Sequence, residues 1–168
     1  IRAISAALCA AITLLPTAAV AVPLPLGQTS TVTERAKKDR CKDQVVKWIR
    51  EAGFEGEEVR VLWAIVQRES NGNPNESSPP DLGIAQLNYP TWGGTKYWPS
   101  DVYDPVQSLK AVKKMVRDKG WQPWGLRVKN GKVSYDFSSY GGWSSWQHYN
   151  WIVEPFERYY AQFPNKCK

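Results

Sequence analysis

The sequence predicts an α+β protein that is mainly α-helical. Before residue 71 and after residue 104, apolar residues recur at steps of three and four, which places them on one face of a helix. Between these regions, residues 71–104 are rich in Asn, Ser, Gly and Pro, which are typical of turns and short extended segments. We therefore expect a helical core with a small β element.

Residues 1–21 have the composition of an export signal. Arg2 gives a positive start, Ala3 to Leu15 is apolar and uncharged, and Ala19-Val20-Ala21 is a small-x-small cleavage site. We expect cleavage after Ala21, an extracellular or periplasmic protein that is secreted or associated with a cell wall, and no stable membrane insertion. An uncleaved anchor is the alternative, because the apolar stretch is barely long enough to span a bilayer.

Residues 22–32 have the composition of a linker, and residues 33–168 are long enough for one domain with a real core. Of the three cysteines, Cys9 lies in the signal, so Cys41 and Cys167 remain. An even pair in an exported chain predicts a disulfide, which would enclose almost the whole domain. Chain entropy would then stabilise the fold by about 4–5 kcal/mol. Two unrelated thiols are the alternative.

The chain is basic, with a formal net charge of +6 at pH 7, which suits an anionic partner such as a bacterial cell wall. Nucleic acid is not expected, because the Lys and Arg residues are dispersed and form no nucleic-acid-binding motif. The single His gives no metal constellation, and we expect neither a metal nor a cofactor. We expect a monomer.

The first domain helix is predicted over Thr33 to Ala52, with Gly53 as its C-terminal cap. A further helix is predicted from Asp104-Pro105, a favourable start, to Lys119. Asn130-Gly131 predicts a hairpin turn within Val128 to Phe137. The last helical pattern has a break or kink at Pro155, and its apolar face would hold Trp146, Tyr149, Val153, Phe156, Tyr160 and Phe163.

The helix predicted over Glu57 to Ser70 carries a carboxylate in an unusual place. Its apolar stripe consists of Val59, Leu62, Trp63 and Val66, and Arg60 and Arg68 fall away from it. Glu69 lies at the edge of the stripe, where Glu is seldom found unless it is paired or functional. An apolar wall disfavours the charged carboxylate, so Glu69 could keep the proton that a general acid needs. An exposed terminal Glu without a role is the alternative.

Three motifs follow one another: Glu69-Ser70, Asn73-Pro74, and Asp81-Leu-Gly-Ile-Ala-Gln-Leu-Asn88. Together they resemble the signature of the lysozyme-like superfamily, nearest to its lytic transglycosylase (SLT) and goose-type lysozyme branch. The last motif also resembles a segment of chicken-type lysozymes and α-lactalbumin. The resemblance implies a helical core with a small β element beside a cleft. It also implies cleavage of the MurNAc-GlcNAc β-1,4 bond in peptidoglycan glycan strands.

The resemblance implies that Glu69 is the general acid and base. In a lytic transglycosylase, the muramic acid 6-hydroxyl attacks internally and gives a 1,6-anhydro product, so no second carboxylate is required. In a lysozyme-type hydrolase, water is the nucleophile and Asp81 would assist. The spacing from Glu69 to Asp81 is shorter than in chicken-type lysozymes, and a turn-forming role for Asp81 is the alternative.

The same resemblance implies that Ser70, Gln86 and Asn88 contact the sugar or line the cleft. Tyr89 and Trp92 could stack on sugar rings. The other tryptophans of predicted loops could do the same: Trp98, Trp121, Trp124 and Trp143. Packing inside the domain is the alternative for each tryptophan. Tyr149-Asn150 is the nearest match to the family's late Tyr, with His148 in place of Ala, and a core role for Tyr149 is equally compatible.

Three functions are compatible with these residues. The leading hypothesis is a secreted peptidoglycan lytic transglycosylase. A lysozyme-type hydrolase is the second, and a non-catalytic wall-binding protein on the same fold is the third. Their products separate the first two, and the presence of Glu69, Ser70 and Gln86 argues against the third.

Overall fold

The computed structural model describes residues 41–168, so the predicted signal, the linker and the first part of the predicted Thr33–Ala52 helix lie outside the described residues. Six α-helices are present in this part of the chain: α1 (Gln44–Glu51), α2 (Glu57–Ser70), α3 (Tyr89–Trp92), α4 (Pro105–Lys119), α5 (Ser145–His148) and α6 (Glu154–Gln162). Five short strands accompany them: β1 (Ser77–Ser78), β2 (Asp81–Leu82), β3 (Leu87–Asn88), β4 (Leu126–Lys129) and β5 (Lys132–Tyr135). The mainly helical α+β prediction is confirmed.

Helix α2 is the buried centre of the domain and packs against α1 and α6. Its bounds agree with the prediction, and Asn71 ends it in the left-handed conformation, with φ 52°. The predicted apolar stripe was too narrow, because Val61, Ala64 and Ile65 are also fully buried. A helix that is apolar around most of its circumference can be surrounded by other elements, and α2 is such a helix.

Helix α1 begins at Gln44, so the prediction of helix through Cys41 was wrong. Asp43 is the N-cap: its backbone is extended, and its side chain accepts a hydrogen bond from the Val46 backbone N–H at 2.9 Å. This cap satisfies a donor that the first helical turn leaves free. Cys41 is buried as expected, but it lies in the extended segment that precedes the helix.

Cys41 forms a disulfide with Cys167, and their Cα atoms are 4.7 Å apart. The bond joins the start of the described chain to a 3₁₀ turn at Asn165–Cys167. The Arg50 guanidinium also holds this end, because it donates to the Cys167 carbonyl at 2.7 Å. The predicted pairing is therefore present.

Replacing both Cys41 and Cys167 by Ser is expected to lower the free energy of unfolding by about 2–5 kcal/mol, because the disulfide closes a long loop. Denaturant unfolding of the oxidised protein and the double variant measures this loss. The reduced wild-type protein is the control, and its free energy of unfolding should equal that of the double variant. Equal stability of the oxidised protein and the double variant would contradict the prediction.

Residues 71–104 contain the predicted small β element. Strands β1, β2 and β3 form an antiparallel sheet in which Asp81 lies opposite Asn88 and Leu82 opposite Leu87. A second, two-stranded sheet is the predicted hairpin of β4 and β5, whose turn residues Asn130 and Gly131 both have positive φ. This conformation is typical of a type I′ hairpin turn.

The C-terminal helical region divides into pieces just before Pro155, which lies in the first turn of α6. Between α5 and α6 lies a π-helical turn, Tyr149–Val153, in which the Glu154 N–H donates to the Tyr149 carbonyl. A π turn has more residues per turn than an α-helix. Residues before this turn therefore do not lie on the same face as the buried residues of α6. Phe156 is buried as predicted, but Trp146 and Tyr149 are 64% and 55% exposed. The core position predicted for Trp146 was therefore wrong, and the core role that was the alternative for Tyr149 is not what the structure shows.

Helix α4 confirms the predicted start and stop. The Asp104 side chain accepts a hydrogen bond from the Gln107 N–H at 2.8 Å, and Gly120 follows the last residue with a positive φ. Within residues 41–168, the structure contains no helix that combines the length and the apolar character needed to cross a membrane.

Candidate active site

Glu69 lies in the last turn of α2, and its side chain is 25% exposed. The Arg68 guanidinium binds one of its carboxylate oxygens, Oε1, through Nη2 at 2.5 Å and Nε at 3.0 Å. Arg68 also donates to the Trp124 carbonyl at 3.4 Å. Within residues 41–168, no hydrogen bond reaches the other oxygen, Oε2. The carboxylate is thus held from one side.

Arg68 was expected to fall away from the buried side of α2, but its side chain is only 8% exposed. The backbone of the 3₁₀ turn Gln122–Trp124 reaches this end of α2 and accepts its hydrogen bond. A buried guanidinium needs such partners, and Glu69 is its charged one. The sequence alone does not indicate that Arg68 is buried, because this environment includes a segment far along the chain.

Ser70 connects the end of α2 to the three-stranded sheet. Its hydroxyl donates to the Ile84 carbonyl at 2.8 Å and lies 3.2 Å from the Val66 carbonyl. The residue is 6% exposed, so its hydroxyl is occupied by protein groups. This contact fixes the β2–β3 turn against the helix that carries Glu69.

Gln86 closes the turn between β2 and β3. Its backbone is left-handed, with φ 46°, and its side-chain amide donates to the Gly83 carbonyl at 2.8 Å and the Glu76 carbonyl at 3.3 Å. Ile84 and Ala85 are buried beneath this turn. The structure therefore places the Gln of the motif in the turn itself, with its amide bound to backbone oxygens.

Asp81 and Asn88 lie opposite each other on β2 and β3, and the Asn88 amide donates to Asp81 Oδ1 at 2.8 Å. The side-chain oxygen of Asn88, Oδ1, accepts two hydrogen bonds from Thr91 and caps helix α3. Asp81 is half-buried, and its carboxylate has a fixed orientation on the sheet.

The segment after β5 contacts the 3₁₀ turn whose Trp124 carbonyl accepts a hydrogen bond from Arg68. Tyr140 donates to the Pro123 carbonyl at 2.9 Å. Burial raises the pKa of the Tyr140 phenol; the Arg68 guanidinium opposes this rise, and the negative charge of Glu69 adds to it. The charges of both members of the Arg68–Glu69 pair thus act on the Tyr140 phenol.

Residues 47–121 match the family model of the transglycosylase SLT domain. This part of the chain is similar to the SLT transglycosylase domain. The match covers less than half of the chain, but it includes α2 and the three-stranded sheet, and the lysozyme-like fold implied by the motifs is confirmed. No curated protein and no solved structure in the comparisons matches the chain. SLT domains act on cell walls, and the match supports a peptidoglycan-cleaving activity of the lytic transglycosylase type.

The late Tyr of the SLT domain was assigned to Tyr149, which is 55% exposed on the π turn. Its phenol lies near Tyr135. The pKa of Tyr135 is raised mainly by burial, and a hydrogen bond to Glu157 at 2.9 Å raises it further. Neither Tyr135 nor Tyr140 stood out in the sequence. Tyr140 precedes Gly141-Gly142 in a segment without helix or strand periodicity.

The aromatic residues of the predicted loops divide into two groups. Trp121 and Trp124 are 5% and 6% exposed and pack in the core, so of the two roles considered for them the structure shows packing. Tyr89 is 58% exposed with its ring edge-on to Trp98 at 5.2 Å. Trp92 is half-buried and packs edge-on against Tyr97.

A cavity of about 330 Å³ lies between the end of α4 and the β4–β5 hairpin, with Lys119, Trp121 and Arg127 in its wall. Its lining includes neither Glu69 nor a residue of β1–β3, so it is separate from the site described above. Across residues 41–168, no group of three or more His, Cys, Asp or Glu side chains is placed to hold a metal ion.

Proposed function

We propose that the protein is a secreted lytic transglycosylase that breaks the MurNAc-GlcNAc β-1,4 bond, with Glu69 as general acid and then base. The observation that carries the proposal is the placement of Glu69. Its carboxylate ends the buried helix of an SLT domain, is held at Oε1 by Arg68, and has Oε2 without a hydrogen bond from residues 41–168. Secretion is inferred from residues 1–21, which the structure does not describe.

In the first step, protonated Glu69 donates its proton to the bridging oxygen as the bond from the MurNAc C1 to that oxygen breaks. The GlcNAc side leaves as an alcohol, and Glu69 becomes a carboxylate. The Arg68 guanidinium stabilises this new negative charge, because the two groups are in direct contact in a half-buried site.

In the second step, the 6-hydroxyl of the same MurNAc attacks C1, and the Glu69 carboxylate accepts the hydroxyl proton. The product is a 1,6-anhydro ring, and Glu69 is again protonated for the next cycle. No second carboxylate takes part. In this scheme Asp81 holds Asn88, which caps α3 and so positions Tyr89 and Trp92 to stack on neighbouring sugars.

A lysozyme-type hydrolase is the second candidate, and the placement of Asp81 favours it. Asp81 is a half-buried carboxylate on the sheet that Ser70 fixes beside Glu69. Asn88 engages only its Oδ1, so the second oxygen could orient water. The two candidates differ in their products.

Digestion of purified peptidoglycan followed by mass spectrometry of the released sugars tests the proposal. A transglycosylase releases anhydro-muramyl fragments, which are lighter by one water than the corresponding hydrolysis products. Fragments with a free reducing end would assign the hydrolase instead. If nothing is released from several wall types, the protein is not a wall-cleaving enzyme and the non-catalytic wall-binding hypothesis replaces the proposal.

Replacing Asp81 by Asn is expected to leave the rate of peptidoglycan cleavage within about threefold of wild type, because no proton passes through Asp81 in the proposed mechanism. The new amide oxygen can still accept the hydrogen bond from Asn88, so the sheet should persist. Turbidity clearance of sacculi measures the rate, with Asp101→Asn as a control at an exposed carboxylate. A loss of about 10²-fold or more would instead support the hydrolase.

A further inference from the structure

Three exposed tryptophans lie together on the C-terminal part of the domain. Trp143, Trp146 and Trp151 are 36%, 64% and 53% exposed. The rings of Trp143 and Trp151 meet edge to face at 5.2 Å, and those of Trp146 and Trp151 at 6.5 Å. We call these three residues the tryptophan platform. A cluster of exposed aromatic rings of this kind marks an interaction site more often than a chance surface.

The platform is held rigidly by its own segment. Ser144 and Gln147 form a capping box at the start of α5, in which each side chain binds the backbone N–H of the other. His148 stacks between Phe137, at 4.2 Å, and Trp143, at 6.1 Å. Binding to side chains that are already ordered loses less conformational entropy, so this arrangement favours a ligand that needs flat rings in fixed places.

The platform is continuous with the candidate active site. Trp143 packs edge-on against Tyr140 at 5.0 Å. The Tyr140 hydroxyl donates to the Pro123 carbonyl, and the next carbonyl, that of Trp124, accepts a hydrogen bond from Arg68, which binds Glu69. Aromatic rings therefore lead from Tyr140, beside the turn that holds Arg68, to Trp143 and on to Trp151 and Trp146. A long, linear ligand that passes Glu69 can extend across the platform.

The charge of the segment identifies the ligand class. Residues 137–153 contain no Asp, Glu, Lys or Arg, although the whole chain carries a net charge of +6. An anionic membrane surface attracts segments rich in Lys and Arg, which are missing here. Gln147 Oε1 and Asn150 Nδ2 are engaged within the segment. Ser145 Oγ, Gln147 Nε2 and Asn150 Oδ1 lie among the tryptophans in the sequence and can form hydrogen bonds to hydroxyl and acetamido groups. Neutral sugar rings present the apolar faces and hydroxyl edges that such a surface fits.

We propose that the tryptophan platform binds a β-1,4-linked N-acetylhexosamine strand several sugars away from the bond that is cleaved. The identity of the strand as peptidoglycan glycan rests on the proposed function. Stacking on the platform would hold the polymer on the enzyme and have little influence on chemistry at Glu69. The platform should therefore matter for long strands and insoluble walls and be dispensable for short fragments.

Binding is tested apart from cleavage in a protein that carries Glu69→Gln. This protein is pelleted with purified peptidoglycan sacculi, with and without Trp146→Ala and Trp151→Ala, and soluble chitin oligosaccharides serve as a peptide-free competitor. The double substitution is expected to raise the apparent Kd about tenfold or more, as loss of central aromatic contacts does at other interfaces. Tyr103→Ala is the control, because Tyr103 is an aromatic residue with a comparable exposure of 41% and lies in another segment.

In the protein with Glu69 intact, the double substitution is expected to slow cleavage of sacculi several-fold and to leave cleavage of short glycan fragments unchanged. The proposal is overturned if the protein with both tryptophan substitutions binds sacculi as tightly as the Glu69→Gln parent. So does tryptophan-dependent binding to phosphatidylglycerol vesicles with no effect on sacculi. If wild type binds sacculi through the platform but cleaves nothing, the proposed function fails and the platform stands.

Discussion

The Glu69→Gln protein is expected to cleave peptidoglycan about 10²- to 10⁴-fold more slowly than wild type, because the amide can neither give nor take the proton that each step needs. The fold should persist, since the Gln carbonyl oxygen can still accept the hydrogen bonds that Arg68 gives to Oε1. Release of soluble muropeptides from sacculi, followed over time, measures the loss, and thermal unfolding of the same preparation shows that the domain is intact.

Two further variants make this experiment decisive. Glu51→Gln removes the same charge from an exposed position in α1 and should leave the rate unchanged. Glu69→Asp keeps the charge beside Arg68 but withdraws the carboxyl by about one bond length, and such a misplacement is expected to reduce the rate by about 10²-fold. Wild-type rates in Glu69→Gln would remove Glu69 from the mechanism, whatever the product analysis shows.

The sequence predicted α2 well because local chemistry determines both of its ends. Two acidic residues occupy its first turn, and Asn71 adopts the left-handed conformation that ends it. The hairpin turn at Asn130-Gly131 was predictable for the same reason, since few residue pairs accept two positive φ angles in succession. Where a few neighbouring residues decide the backbone, the pattern in the sequence was sufficient.

The errors concern features that depend on distant residues. Arg68 is buried because the Trp124 carbonyl, 56 positions away in the chain, accepts its hydrogen bond. Tyr140 is joined to the turn that binds Arg68 because its hydroxyl donates to the Pro123 carbonyl. Helical periodicity contains no information about such contacts, so both residues were missed as parts of the site.

The motif residues show a different limit of sequence reasoning. Family resemblance identified Ser70, Gln86 and Asn88 but could not separate residues that contact substrate from residues that shape the site. In the structure, the Ser70 side chain binds Ile84 and the Gln86 side chain binds Gly83. The Asn88 side chain binds Asp81 and Thr91. Most of the polar motif thus builds the β2–β3 hairpin next to Glu69. Gly83 belongs to the same motif, and we expect it too to be required for the shape of this hairpin.

Replacing Gly83 by Ala is expected to lower the free energy of unfolding by about 2–5 kcal/mol and to reduce cleavage of peptidoglycan with it. A Cβ at this position would lie 2.2 Å from the Val102 backbone carbonyl oxygen. Overpacking of this kind destabilises by about 1–3 kcal/mol. The left-handed backbone, with φ +74°, adds about 1–2 kcal/mol for any residue with a Cβ. Denaturant unfolding monitored by tryptophan fluorescence measures the sum.

Gly94→Ala separates the two causes, because Gly94 has nearly the same φ, +72°, and no atom within 4 Å of its added Cβ. It should lose only the backbone part, about 1–2 kcal/mol. A larger loss at Gly83 would show that the motif glycine allows the segment of Val102 to pack against the hairpin beside Glu69. Equal losses would show that the hairpin can move away from Val102, and wild-type cleavage by such a protein would mean that catalysis does not require this packing.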